Sequence, residues 1–128
     1  MRDHRKLQIF GLADQLALMI FKETKFFPRE EVFGLSAQMR RAAVSIPSNI
    51  VEGCTRDTTA EYMRFLTVAY GSAKELEYQS SLAARLGYVR NSEELTSACQ
   101  EMSRTLNACI QGLRRRISID STGDRNGD

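Results

Sequence analysis

The chemistry open to this chain is limited by its single histidine, His4, which stands near the start of the sequence. A di-iron site in a helical protein needs Glu-x-x-His pairs on facing helices, and no such pair occurs here. No two acidic residues in the predicted helices lie three positions apart, so a carboxylate site for magnesium has no basis. The sequence also lacks C-x-x-C, G-x-x-x-x-G-K and G-x-G-x-x-G motifs. We therefore expect no metal, no cofactor and no enzymatic activity.

The remaining nucleophiles are three cysteines, Cys54, Cys99 and Cys109. Cys99 and Cys109 fall on an apolar helical seam, where a free thiol packs as a small hydrophobe. Cys54 is near Arg56, which could lower a thiol pKa, but no histidine stands beside it to act as a base. We expect all three thiols to be inert. Their odd number argues against a disulfide scaffold and indicates a cytoplasmic protein with reduced thiols.

Basic side chains are the next candidates, because they could contact nucleic acid. The formal net charge of +2 excludes a strongly polybasic binder but allows local patches. The candidate nucleic-acid contacts are Lys6, Arg40, Arg41, Arg56, Arg114, Arg115 and Arg116. The run of three arginines has an alternative interpretation, since cations stabilise the negative end of a helix dipole. Both interpretations are open at this stage.

A stripe of polar residues follows one face of the predicted second helix. Its members, at spacings of four, four, three and four, are Arg41, Ser45, Asn49, Glu52 and Arg56. In one interpretation the stripe is a solvated face with a Glu52–Arg56 pair. In the other, Ser45, Asn49 and Glu52 form a partly buried structural network that hydrogen-bonds to another helix. We favour the network, because Pro47 frees a backbone carbonyl that a nearby donor must satisfy.

The elements that position these residues are helices, because apolar residues recur at spacings of three and four along the chain. The predicted helices are Leu7–Thr24, Pro28 to near Gly53, Thr58–Gly87 and Asn91–Arg116. Capping boxes begin the last two, at Thr58 with Glu61 and at Asn91 with Glu94. The prediction is an all-α, antiparallel up-and-down four-helix bundle with a left-handed twist over residues 1–117, followed by a disordered tail over residues 118–128.

Two features of the third helix point to a neighbour. Gly71 inside a helix costs about 1 kcal/mol relative to alanine, so we expect a close backbone approach there. The neighbour is either another helix of the bundle or another subunit. Phe65 and Tyr78 lie off the main apolar seam, and this surplus apolar surface suggests oligomerisation. No stretch comes close to the run of about 18 consecutive apolar residues that a membrane span needs.

One set of residues, densest between Gln38 and Gly53, is shared with a known family. Its members are Phe27-Pro28, Glu31, Gly34-Leu35, Gln38, Arg40-Arg41-Ala42-Ala43, Ser45-Ile46-Pro47-Ser48-Asn49-Ile50, Glu52-Gly53, Phe65-Leu66, Ala69, Gly71-Ser72 and Glu75-Leu76. On these residues the chain resembles the four-helix-bundle proteins encoded in bacterial 23S rRNA intervening sequences, from about Leu7 to Leu113. It departs from them at Gly11, where the family tends to carry a larger polar residue, and at Val51, where alanine is usual.

The resemblance implies a bundle that assembles into a ring, as a homopentamer. It also implies a distant kinship with the accessory bundle proteins of diversity-generating retroelements, which bind nucleic acid and a reverse transcriptase. The biochemical function of the intervening-sequence family itself is largely unassigned.

Two functional hypotheses follow. The first is a non-catalytic oligomeric scaffold that binds RNA or DNA through basic patches, with salt-sensitive contacts to the phosphate backbone. The second is a protein-interaction module that holds a partner protein without nucleic acid, through a salt-insensitive apolar contact.

Overall fold

The computed structural model describes residues 1–126, and side chains for residues 1–119. The α-helices are α1 (Gln8–Thr24), α2 (Leu35–Cys54), α3 (Thr59–Arg85) and α4 (Ser92–Asn126). Short 3-10 helices at His4–Lys6 and Arg29–Glu31 precede α1 and α2. Because residues 1–126 contain no strand, the predicted all-α fold is confirmed. No helix in this part of the chain is both long and apolar enough to cross a bilayer.

Helices that follow one another in the chain pack side by side, and α4 also packs on α1 to close the bundle. The register between α3 and α4 is antiparallel. The thiol of Cys99 lies 3.6 Å from the hydroxyl of Ser80, whereas Ser103, one turn further along α4, bonds Glu77, one turn earlier on α3. All four helices contribute apolar side chains to one core, including Ile20, Met39, Ile46, Ile50, Leu66, Leu76, Leu95, Met102 and Leu106.

The predicted capping signals are confirmed. The amide of Glu61 donates to Thr58 Oγ1 at 3.1 Å, and the amide of Glu94 donates to Asn91 Oδ1 at 3.2 Å. These bonds satisfy amides that have no partner within the first turn of a helix. At the other end of α3, Gly87 adopts a φ of +79°, a left-handed conformation that ends the helix.

The start of α2 differs from the prediction, which placed it at Pro28. Residues 29–31 form only a 3-10 turn, closed by a 2.9 Å bond from the Glu31 amide to the Pro28 carbonyl. Gly34 then takes φ −107° and ψ −117°, outside the helical region, so α2 begins at Leu35. The proline and acidic residues that indicate a helix start therefore mark a separate turn.

The end of α4 also differs from the prediction. The sequence indicated a helix ending at Arg116 and disorder from Ser118, whereas α4 continues to Asn126. Apolar periodicity marks only the part of a helix that packs, while a helix already formed gains one hydrogen bond for each residue added. The helix therefore runs past its predicted end at Arg116, whereas the domain limit at residue 117 stays a prediction. Residues 127–128 lie outside the described residues.

Among the glycines of residues 1–119, the tightest approach of another helix is at Gly53, not at Gly71. A Cβ atom built at Gly53 would lie 2.9 Å from Phe65 Cβ and 3.2 Å from a ring carbon of Tyr62. Gly53 thus lets α2 meet the first turns of α3. Around Gly71 nothing lies within 4 Å of such an atom, so the predicted approach of another helix of the bundle is wrong.

The different surroundings of Gly53 and Gly71 predict that substitution by alanine has opposite effects on stability at the two positions. Gly53→Ala should lower the free energy of unfolding by about 1–2 kcal/mol, because the added methyl overpacks the contact with Phe65. Gly71→Ala should raise it by about 1 kcal/mol through helix propensity. Urea denaturation of both variants measures the two changes. Equal destabilisation at both glycines would contradict this account of the packing.

Candidate nucleic-acid interface

The antiparallel topology brings one group of basic residues together at one end of the bundle. The start of α1, the end of α2, the start of α3 and the last part of α4 all lie there. The backbone amide of Arg2, for example, donates to the carbonyl of Cys54 at 2.9 Å. We call this the basic end, and define it by Arg2, Lys6, Arg56, Arg114, Arg115 and Arg116. Arg40 and Arg41, near the start of α2, lie towards the opposite end.

Arg2 is the functional candidate that sequence reasoning missed. Its Cζ atom lies 3.9 Å from the centre of the Tyr62 ring, a cation–π contact. Together with the hydrogen bond from the Arg2 amide to Cys54, this contact holds the Arg2 guanidinium over the first turns of α3. No periodic signal relates an arginine in the N-terminal segment to a tyrosine in α3. Only the folded arrangement brings the two together.

Arg2, Arg115 and Arg116 line one groove of about 550 Å³. We call it the arginine groove. Its remaining lining residues are Tyr62, Ala108, Cys109, Gly112, Leu113 and Ile119. No carboxylate is among these residues. Four other surface grooves each include one glutamate, respectively Glu75, Glu77, Glu61 and Glu93.

The titratable groups inside the arginine groove do not offset its positive charge. Burial raises the pKa of Tyr62 to about 12, so its phenol is neutral at physiological pH. Burial also raises the pKa of the Cys109 thiol. Both groups stay uncharged near pH 7, so neither offsets the charge of the three guanidinium groups.

The other members of the basic end differ in how many contacts their charged groups make with neighbouring side chains. Arg56 Nη2 lies 3.1 Å from Glu52 Oε1, and its guanidinium lies 4.6 Å from the centre of the Phe65 ring. Its Nε is buried without a hydrogen-bond partner in the structure. Lys6 and Arg114 are exposed. The helix-dipole interpretation of Arg114, Arg115 and Arg116 is wrong, because α4 continues beyond them and the dipole effect is confined to the last turn.

Arg40 is held by the end of α1. Its Nε donates to Thr24 Oγ1 at 2.8 Å, and the Thr24 hydroxyl donates in turn to the carbonyl of Ile20 at 2.7 Å. The guanidinium also lies 4.8 Å from the centre of the Phe21 ring. Arg41, in contrast, is exposed and lines a groove of about 360 Å³ between α2 and α3.

Part of the polar stripe joins α2 to α3. The hydroxyls of Ser45 and Ser72 lie 2.8 Å apart, and Asn49 Nδ2 donates to the carbonyl of Ser45 at 2.7 Å and to its hydroxyl at 3.1 Å. Glu52 takes no part in these bonds and is exposed. Pro47 leaves the carbonyl of Ala43 without its usual amide donor. Asn49 binds the carbonyl of Ser45 instead, so the polar stripe does not satisfy the carbonyl that the proline frees.

None of the three cysteines, all in the described part of the chain, is in a disulfide. Cys54 and Cys99 are buried and Cys109 is half-buried. Burial raises the pKa of each thiol, and at Cys54 this outweighs the opposing charge of Arg2. Within the described residues, no group of three or more histidine, cysteine or acidic side chains could hold a metal ion.

Comparison with known proteins gives two matches. The model of the family described as "23S rRNA-intervening sequence protein" matches residues 5–108. A crystal structure from Bacteroides thetaiotaomicron VPI-5482, of a protein with unknown function from the S23 ribosomal protein family, superposes with a TM-score of 0.73. It is 26% identical, and the alignment covers 80% of this chain and 97% of that one. A search of curated proteins finds no match.

The contacts of Arg40 predict a role in stability. Arg40→Ala should lower the free energy of unfolding by about 1–2 kcal/mol, because it removes a charged donor to a buried hydroxyl. Arg41→Ala, next to it on the exposed face, should change stability by less than about 0.5 kcal/mol. Urea denaturation compares the two variants. Full stability of Arg40→Ala would contradict the assignment.

Proposed function

This chain belongs to the family of 23S rRNA-intervening sequence proteins, and we propose that it is a non-catalytic, oligomeric helical scaffold that binds RNA or DNA through the basic end of its bundle. The observation that carries the proposal is the arginine groove, where Arg2, Arg115 and Arg116 meet and no carboxylate is among the lining residues within residues 1–119. Phosphate oxygens are the acceptors that such guanidinium groups bind best.

Binding of this kind is directed at the phosphate backbone. A chain of nearly neutral net charge can attract nucleic acid where several arginines lie close together. The chain carries no motif for reading base edges. Affinity should therefore depend steeply on salt and only weakly on sequence.

Assembly would multiply this surface. In a ring of identical subunits each basic end is repeated, so several weak phosphate contacts act together. The resemblance to the family implies five subunits. Exposed apolar side chains support self-association, since Val68 and Tyr78 on α3 are 54% and 62% exposed. The raised thiol pKa values support the non-catalytic part of the proposal, because a nucleophilic cysteine needs a lowered one.

A second candidate function is that of a protein-interaction module. The connection between α1 and α2 exposes Phe26, Val32 and Phe33, and Phe33 is 95% exposed. Aromatic side chains of this kind are typical anchors at protein interfaces. Affinity purification under low salt separates the two functions. A bound protein that survives high salt, with no RNA or DNA present, would favour the module.

The proposed function predicts a specific loss of affinity. Replacing Arg114, Arg115 and Arg116 together by alanine should weaken binding to single-stranded RNA. The slope of log affinity against log salt concentration should become shallower by about 2, since each lost phosphate contact contributes about 0.7. Fluorescence anisotropy with a labelled RNA, over a series of salt concentrations, measures both quantities.

The matched control removes three exposed cations from the opposite end, by replacing Lys22, Lys25 and Arg29 with alanine. Both triple variants change the net charge equally. Equal losses of affinity would mean that only overall charge matters, and unchanged affinity in the first variant would reject the basic end as the interface. Thermal unfolding of both variants checks that the fold is intact.

A further inference from the structure

We infer that the arginine groove is a discrete pocket for a single phosphate group of a nucleic acid, an inference that rests on the proposed function and names the ligand group at its centre. The pocket would take either an internal phosphodiester or the monophosphate at a strand terminus. Both present the same oxygen acceptors to Arg2, Arg115 and Arg116.

The first argument is the unused hydrogen-bonding capacity of these arginines. Three other guanidinium groups among the described residues are paired with carboxylates. Arg56 binds Glu52, Arg90 lies 3.7 Å from Glu23, and Arg5 lies 3.0 Å from Asp3. Within the described residues, the side chains of Arg2, Arg115 and Arg116 have no hydrogen-bond or ion-pair acceptor. They face one groove with their donors free, which is the arrangement that an anion would complete.

The second argument is that the groove is held in place before any ligand binds. The cation–π contact with Tyr62 and the backbone bond to Cys54 fix Arg2 at two points. Arg115 and Arg116 stand on α4, and Leu113, two residues before Arg115 on the same helix, is buried in the core. A site built in advance loses less conformational entropy when it binds, so a single phosphate can gain measurable affinity.

The third argument is the environment around the guanidinium groups. Tyr62 is only 3% exposed and Leu113 only 6%, so part of the groove wall is apolar. Arg115 and Arg116 are themselves exposed, so the apolar wall lowers the local dielectric on one side of the groove only. The volume of about 550 Å³ accommodates a phosphate with its sugar, and lies in the range of small-ligand sites.

Gly112 offers a test that leaves the arginines intact. It lines the groove, and a Cβ built there meets nothing within 4 Å. Gly112→Glu would place a carboxylate among the guanidinium groups, and Gly112→Gln would add nearly the same bulk without charge. Ser97→Glu is a further control, because it adds the same charge at an exposed position near the start of α4.

The probes are inorganic phosphate and a short single-stranded RNA that carries either a 5′-monophosphate or a 5′-hydroxyl. Titration with phosphate, compared with chloride at equal ionic strength, should shift the NMR resonance of the Gly112 amide. That resonance is assigned as the glycine signal that is missing from the spectrum of Gly112→Gln. Gly112→Glu should weaken RNA binding at least tenfold. Gly112→Gln and Ser97→Glu should stay within threefold of the unsubstituted protein.

The two RNAs distinguish the sources of the phosphate. A larger loss in Gly112→Glu for the 5′-monophosphate RNA assigns the pocket to a strand terminus, and equal losses assign it to an internal phosphodiester. Equal RNA affinities of Gly112→Glu and Gly112→Gln, without a phosphate-specific shift, would overturn the pocket while leaving RNA binding at the basic end intact. A phosphate-specific shift without any RNA binding would overturn the nucleic-acid assignment and the proposed function, but not the anion site.

Discussion

The close contact between α2 and α3 at Gly53 is the constraint on which the basic end depends. Only a residue without a side chain allows Tyr62 and Phe65 to lie so near the end of α2. Each aromatic ring also contacts an arginine, Arg2 over Tyr62 and Arg56 over Phe65. Packing in the core thus determines where guanidinium groups lie at the surface. The arginine groove is a consequence of helix packing as much as of charge.

Engagement by neighbouring groups separates structural arginines from those that are free to bind. Arg40 is committed to the end of α1 through Thr24 and Phe21, and Arg56 is paired with Glu52. Arg115 and Arg116 share a groove whose lining, among the residues with described side chains, includes no acidic residue. A nearly neutral chain can in this way present a local positive site. The net charge of +2 therefore says little about whether nucleic acid binds.

The sequence predicted the helices well where a local signal exists. The caps at Thr58 and Asn91 and the stop at Gly87 are confirmed, because side-chain and backbone preferences there act over a few residues. The sequence placed the start of α2 too early, because Pro28 and the acidic residues after it suit a 3-10 turn equally well. It placed the end of α4 too early, since periodicity is lost where packing ends. Arg2 could not be found from the sequence, because its partner Tyr62 lies in another element.

The most direct test of the central claim is size-exclusion chromatography with light scattering, recording absorbance at 260 and 280 nm. With no tryptophan and four tyrosines the protein absorbs weakly, so bound nucleic acid would be plain in the ratio. The account predicts an oligomer that carries nucleic acid at low salt and releases it when the salt concentration is raised. A particle free of nucleic acid at low salt, even after addition of RNA, would contradict a scaffold that binds phosphate through its basic end.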